Sequence, residues 1–225
     1  MNVEQARFNM IEQQIRPWNV LNAEVLELLG HVRREDFVPA AHRALAFADL
    51  EIPLKPGEAA VEQGQVMLAP RVEARLLQDV ALVKGDRVLE IGTGSGFMAA
   101  LLAHRAASVL TLEIDPELAD TARQNLQRAG LDHVQVRVAD GASADLAGDG
   151  PFDVIVLSGS VAVIPDALTA LLAPGGRLIA IAGEEPVMRA TLVQHEDQGL
   201  VTTQPWDCNA PRLLNFGGET PRFRF

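Results

Sequence analysis

The stretch VLEIGTGSG, residues 88–96, constrains this chain more than any other. Val88-Leu89-Glu90-Ile91 is a short, mostly apolar run of the kind that forms a buried strand. Gly92, Gly94 and Gly96 follow at alternate positions, and a helical run opens at Phe97. Strand, glycine turn and helix in that order open the ligand crevice of a doubly wound α/β sheet. Glycine suits the turn because the chain reverses sharply there and a ligand must approach bare backbone. The helix beyond it offers unpaired N–H groups at its first turn.

The spacing and charge of the turn narrow the ligand. A dinucleotide turn places its third glycine three positions after the second, whereas Gly96 comes two after Gly94 and Phe97 takes the other place. Glu90 stands two residues before Gly92, at the strand's end. A carboxylate aimed into the crevice would repel a diphosphate: two like charges about 4 Å apart cost about 4 kcal/mol at an effective dielectric near 20. The same carboxylate suits a ligand that carries an ammonium and a sulfonium, and S-adenosylmethionine (SAM) carries both. A nicotinamide cofactor fits such a fold as well but fits this glycine spacing badly.

Downstream, strands and helices alternate, which predicts a parallel sheet with right-handed crossovers. Strands are expected over 108–114, 134–138, 152–157 and 177–182, and helices over 97–105, 116–129 and 165–172. Two further strands, 190–194 and 201–203, are expected to run antiparallel. Ligands bind beyond the carboxyl ends of such strands. Glu113 ends the second strand, 17 residues after Gly96, where an acid meets ribose hydroxyls. The Asp140-Gly141 pair follows the third, where an Asp accepts from an adenine amino group. Ser158 and Ser160 follow the fourth, beside the acceptor substrate; both also suit a turn.

The amino-terminal part reads as helical. Phe8, Ile11 and Ile15 share one face, Pro17 ends that helix, and Asn22 caps a second with Val25, Leu28 and Leu29 on its apolar side. Residues 51–70 are broken by Pro53, Pro56, Gly57, Gly64 and Pro70 and read as irregular. A helix over 72–83 then leads into the first strand.

The formal net charge is −11, which argues against a nucleic-acid backbone as the main partner. One cysteine, Cys208, leaves no internal disulfide, and the five histidines are scattered without metal-ligand spacing. No apolar run reaches the ~18–20 residues of a membrane span. A cytoplasmic protein, without metal and without membrane attachment, is the expectation.

VLEIGTGSGFMAALLA, followed by Glu113 and Asp140-Gly141, resembles the SAM-dependent methyltransferases. MIEQQIRP (10–17), RREDFVP (33–39), AFAD (46–49), FDVIVLSGS and LLAPGGRLI narrow the likeness to the protein-L-isoaspartate O-methyltransferases, over residues 8–185. The resemblance implies a Rossmann-like class I methyltransferase fold: a mostly parallel seven-stranded sheet, helices on both faces and an N-terminal helical cap. It divides the chain into cap and acceptor loop over 1–80 and a SAM-binding domain over 81–225. It implies methyl transfer from SAM to an isoaspartyl carboxylate of a protein or peptide. It matches Glu90, Gly92, Gly94, Gly96, Glu113, Asp140 and Gly141 to cofactor contacts and puts the backbone of 65–68, with Met67 and Leu68, beside the cofactor. The family carries Thr-Ile-Ser ahead of a proline, the serine acting at the acceptor. This chain has Val66-Met67-Leu68 ahead of Ala69-Pro70, so Leu68 takes the serine's place. The stretch 54–63 is longer than the family pattern, and the tail after Glu185 departs from it. A SAM-binding protein with another acceptor, or one without turnover, is the alternative.

Overall fold

The computed structural model describes residues 2–217. Its centre is a seven-stranded sheet built from β3 (Arg87–Ile91), β4 (Ser108–Glu113), β5 (Gln135–Val138), β6 (Phe152–Val161), β7 (Leu172–Glu184), β8 (Val187–Glu196) and β9 (Gly199–Asp207), in the order β5-β4-β3-β6-β7-β8-β9. The strands from β5 to β7 pair in parallel; β7, β8 and β9 pair antiparallel. Chain order reverses between β3 and its neighbours β4 and β6, and that switch point opens the crevice. The glycine turn after β3 lies there.

Apolar residues line both faces of the sheet. Val88, Val154 and Ile179 face a core shared with α4 (Pro70–Val80) and α5 (Phe97–Ala103). Leu89, Ile91, Ile155 and Leu178 face the other core, which includes Leu168 of α7 (Asp166–Thr169). Period-two alternation therefore sends Val88 and Glu90 to one side of β3, and Leu89 and Ile91 to the other. Strand β4 is followed by α6 (Pro116–Arg128), whose Asp115 cap accepts from Glu117 and Leu118 N–H and whose Pro116 fills the first turn. Among the described residues no helix is long and apolar enough to cross a membrane.

The cap is α1 (Val3–Met10), a wide π turn over Ile11–Ile15 and α2 (Ala23–His31), capped by Asn22 as expected. The face predicted from Phe8, Ile11 and Ile15 is corrected. Phe8 is 58% exposed, and Met10, Ile11 and Ile15 are buried. The π turn uses more residues per turn than an α-helix and so rotates the apolar face partway along.

Residues 52–67 close on themselves: β1 (Ile52–Pro53) pairs antiparallel with β2 (Val66–Met67), and α3 (Glu58–Glu62) lies between. The helix predicted over 165–172 shrinks to α7, because Leu172 already pairs with Phe152. The turn predicted at Ser158-Gly159-Ser160 is likewise replaced by strand, since β6 runs on through Val161.

A buried ion pair ties the cap to α4. Arg34, 1% exposed, donates Nε to the Ala46 carbonyl (3.1 Å), Nη1 to Glu73 Oε2 (3.0 Å) and Nη2 to the Leu68 carbonyl (2.9 Å). Its guanidinium lies 5.3 Å from the Phe97 ring centre. Burial pushes Glu73 up to about 7, with Arg34 pulling against it.

Candidate active site

The crevice is built on Gly92, Gly94 and Glu113. Gly92 has φ +94°, and a Cβ there would meet the Leu213 side chain at 2.8 Å, so only glycine fits. Glu113, at the end of β4, turns its carboxylate onto the turn: Oε2 accepts from Gly94 N–H (2.8 Å) and Oε1 from Asp115 N–H (3.0 Å). Burial raises its pKa while those backbone donors pull it down. Asp140, just past β5, accepts from Ala142 N–H (2.9 Å) and from Asn215 Nδ2 (2.8 Å). Gly92, Gly94, Glu113, Asp140, Gly141 and Ser158 all line one cavity of about 80 Å³.

The carboxyl-terminal segment forms the opposite wall, and sequence reasoning did not place it there. Ile91 is the last β3 residue paired with β6. Beyond it the tail takes over that flank: Ser160 N–H donates to the Pro211 carbonyl (2.7 Å), and Leu213 N–H donates to the Ser160 carbonyl (2.9 Å). Arg212, Leu213, Leu214 and Phe216 thereby reach the cavity. Gly159 and Gly92 are the local signals: a Cβ at either would lie 2.8 Å from the Leu213 side chain. The loop between β1 and β2 forms the remaining wall through Leu54 and Gln63 to Val66. Lys55 Nζ pins it to Asp115 and Glu117 (both 2.6 Å), and Gln65 Nε2 donates to Asp115 (3.1 Å).

Several expected contacts lie elsewhere. Glu90 is fully buried on the α4 side of β3 and does not line the cavity. Its oxygens accept from Ser158 Oγ and Thr111 Oγ1, each at 2.7 Å, and Thr111 Oγ1 lies 2.6 Å from Thr93 Oγ1 in the glycine turn. Burial pushes Glu90 up to about 8, against the two hydroxyl donors. It braces the crevice from behind, through Thr93 and Ser158. Gly96 also stays off the cavity wall; a Cβ there would come 3.3 Å from Leu126, so it seats α5 against α6. Met67 and Leu68 are 3% and 5% exposed in the cap-side core, because β2 turns them inward. Met67 pairs with Ile52, and the carbonyl of Leu68 accepts from Arg34. Ser160 is fully buried, its Oγ has no hydrogen-bond partner among the described residues, and its backbone holds the tail.

Among the described residues, two carboxylates, Glu113 and Asp140, and one cation, Arg212, line the cavity. The acidic excess suits a cationic ligand and opposes a diphosphate, which is the argument made from Glu90 transferred to its neighbours. The residues therefore fit SAM.

A mostly parallel seven-stranded sheet with a glycine turn and an acid at the end of the adjacent strand is the arrangement of the Rossmann-like SAM-dependent methyltransferases. The family model for Protein-L-isoaspartate(D-aspartate) O-methyltransferase (PCMT) matches residues 5–208. The protein-L-isoaspartate O-methyltransferase of Koribacter versatilis is 35% identical over 96% of this chain and 93% of its own length. That of Methanoculleus marisnigri is 36% identical over 95% and 94%. A Plasmodium falciparum protein-L-isoaspartate O-methyltransferase, crystallised with S-adenosyl-L-homocysteine, superposes with a TM-score of 0.77 at 18% identity, covering 95% of this chain and 98% of that one. The chain belongs to the protein-L-isoaspartate O-methyltransferase family and is a SAM-dependent O-methyltransferase. The match runs through β8 and β9, so the likeness extends past the 185 boundary expected from the sequence.

Proposed function

We propose that this chain transfers the SAM methyl group to the free carboxylate of an isoaspartyl residue in a protein or peptide. The observation that carries the reading is Glu113, hydrogen-bonded across the crevice to Gly94 N–H in a chain of this family. SAM supplies an activated methyl on a sulfonium. Glu113 accepts from the ribose hydroxyls with its remaining lone pairs. Gly92 and Gly94 expose backbone to the cofactor, and Asp140 and Gly141 flank its base. Ser158 and Ser160 hold the wall rather than act on the acceptor, one through Glu90 and the other through the tail.

No general base is needed. A carboxylate acceptor, with a reference pKa near 4, is already ionised at neutral pH. Its oxygen forms the new O–CH3 bond as the S–CH3 bond breaks. The chain's contribution is alignment and exclusion of water. Leu68 therefore costs the reaction no proton carrier, and its side chain is buried. Leu68→Ser is expected to destabilise the core without raising turnover.

The test is tritiated SAM with paired peptides that differ only in an aspartyl or isoaspartyl linkage. Label is expected in the isoaspartyl peptide alone, as a base-labile ester. SAM bound by calorimetry with no label in either peptide would return the reading to a binding module.

A further inference from the structure

We infer that Arg212 binds the acceptor carboxylate and that the acidic groove beyond it selects isoaspartyl segments flanked by lysine or arginine. The inference rests on the function proposed above. Arg212 stands in a wall shared by the SAM cavity and a neighbouring open groove of about 940 Å³. Gln63, Gly64, Leu213 and Leu214 line both, so the groove leads directly to the cofactor.

The guanidinium is half engaged. Nη2 donates to the Gly183 carbonyl (2.8 Å) and to Glu184 Oε2 (3.1 Å). Nη1 is buried and has no partner among the described residues. A buried donor without an acceptor is a group that a ligand oxygen completes. One free donor group, rather than the full fork, suits this reaction. It holds one carboxylate oxygen by a charge-assisted bond and leaves the other oxygen to attack the methyl carbon. The pairing of Ser160 with Pro211 and Leu213 holds the Arg212 backbone in place.

The groove's charge sets what flanks the isoaspartyl residue. Glu51, Glu62, Glu184 and Glu185 line it, and Arg212 is its one cation among the described residues. Glu184 is the glutamate that pairs with Arg212. Glu51, Glu62 and Glu185 have no salt-bridge partner among the described residues, so their field acts on an incoming segment. It attracts lysine or arginine side chains and repels acidic ones, and salt screens the effect.

The test uses the full chain and isoaspartyl peptides with lysine, alanine or glutamate on both sides. The wild type is expected to favour the lysine peptide over the glutamate peptide by about tenfold in kcat/KM, less so as salt rises. Arg212→Gln is expected to raise the peptide KM by about 10- to 100-fold while calorimetry still detects SAM binding. Arg212→Lys, which keeps the charge but not the fork, is expected to recover part of that loss. Glu62→Gln with Glu185→Gln is expected to narrow the preference for lysine. Equal kcat/KM on lysine and glutamate peptides, an unchanged KM in Arg212→Gln, equal losses in the Gln and Lys variants, or a matching loss of SAM binding each overturns the inference. A wild type that methylates no isoaspartyl peptide overturns the proposed function instead, and this inference with it.

Discussion

Glu113 joins three parts of the crevice through one side chain: strand β4, the glycine turn and the start of α6. Glu113→Ala strands the Gly94 and Asp115 N–H groups and removes the acceptor for the ribose. It is expected to weaken SAM binding by about 1–3 kcal/mol, read by calorimetry; unchanged affinity would place the ribose elsewhere. The places of Glu113, Asp140, Gly92 and Gly94 on the cavity wall were legible in the sequence because each sits at the end of a strand, at a fixed offset from a local motif. The direction of Glu90 was not. With apolar cores on both sides of β3, the run VLEI does not say which side takes the even-numbered residues. Its burial has a measurable consequence. The folded protein holds Glu90 protonated up to about pH 8, whereas the unfolded chain releases that proton near the ordinary 4.5. Its favourable share of stability is complete below 4.5 and is lost as pH rises to about 8. Glu90→Gln is expected to flatten the fall in stability across that window, measured by urea unfolding at a series of pH values between 4.5 and 8. A slope identical to the wild type's would show that Glu90 is ionised in the fold.

The crevice walls differ in how they are held, and this separates the rigid from the movable. The β3 side is fixed by the sheet. The 54–65 loop has only its short β1–β2 pairing and the contacts of Lys55 and Gln65 with the start of α6. Asp115 and Glu117 hold the Lys55 ammonium in its charged form. Lys55→Met is expected to speed amide hydrogen exchange in residues 57–66 and to hasten cofactor release, with the sheet's exchange unchanged; slow exchange persisting in that segment would show that Lys55 does not hold the loop in place. Alternating strands and helices were legible from period and punctuation alone. The two-residue strands β1 and β2 were not, since neither has a pattern and each exists only through the other. The tail's place beside Ser160 was equally hidden, because a pairing between residues 160 and 212 leaves no local trace beyond the glycines at 92 and 159. The π turn in the cap shifted an amphipathic face that ordinary helical spacing had placed on Phe8.

The division at residue 80 does not coincide with a break in the core. Met10, Ile15 and Leu29 from the cap belong to the same buried cluster as Leu76 and Leu77 of α4 and Val154 and Ile179 of the sheet. Helix α4 also carries both tryptophan contacts: Arg71 lies 4.5 Å from the Trp18 ring centre, and Arg75 lies 4.9 Å from that of Trp206. Trp18 follows the π turn, Trp206 lies on edge strand β9, and they are the chain's two tryptophans. Tryptophan fluorescence therefore reports cap and sheet together. Its urea transition is expected to coincide with the loss of secondary structure by circular dichroism; two separated transitions would make cap and sheet independent units. Arg34 is the sharper probe of that unity, since it bonds to cap, loop and α4 from one buried position. Arg34→Met leaves Glu73 buried without its counter-charge, a change that costs about 3–5 kcal/mol. Glu73, pushed up to about 7 even beside Arg34, escapes part of that cost by taking a proton. Without the arginine its pKa rises further, so the variant's deficit is expected to be smallest in mild acid and to grow as pH passes 7. Urea unfolding of both proteins across that range measures it. A deficit that stays constant with pH would mean that Glu73 finds another partner, and a deficit confined to the cap's signal would mean that the ion pair does not couple the two halves.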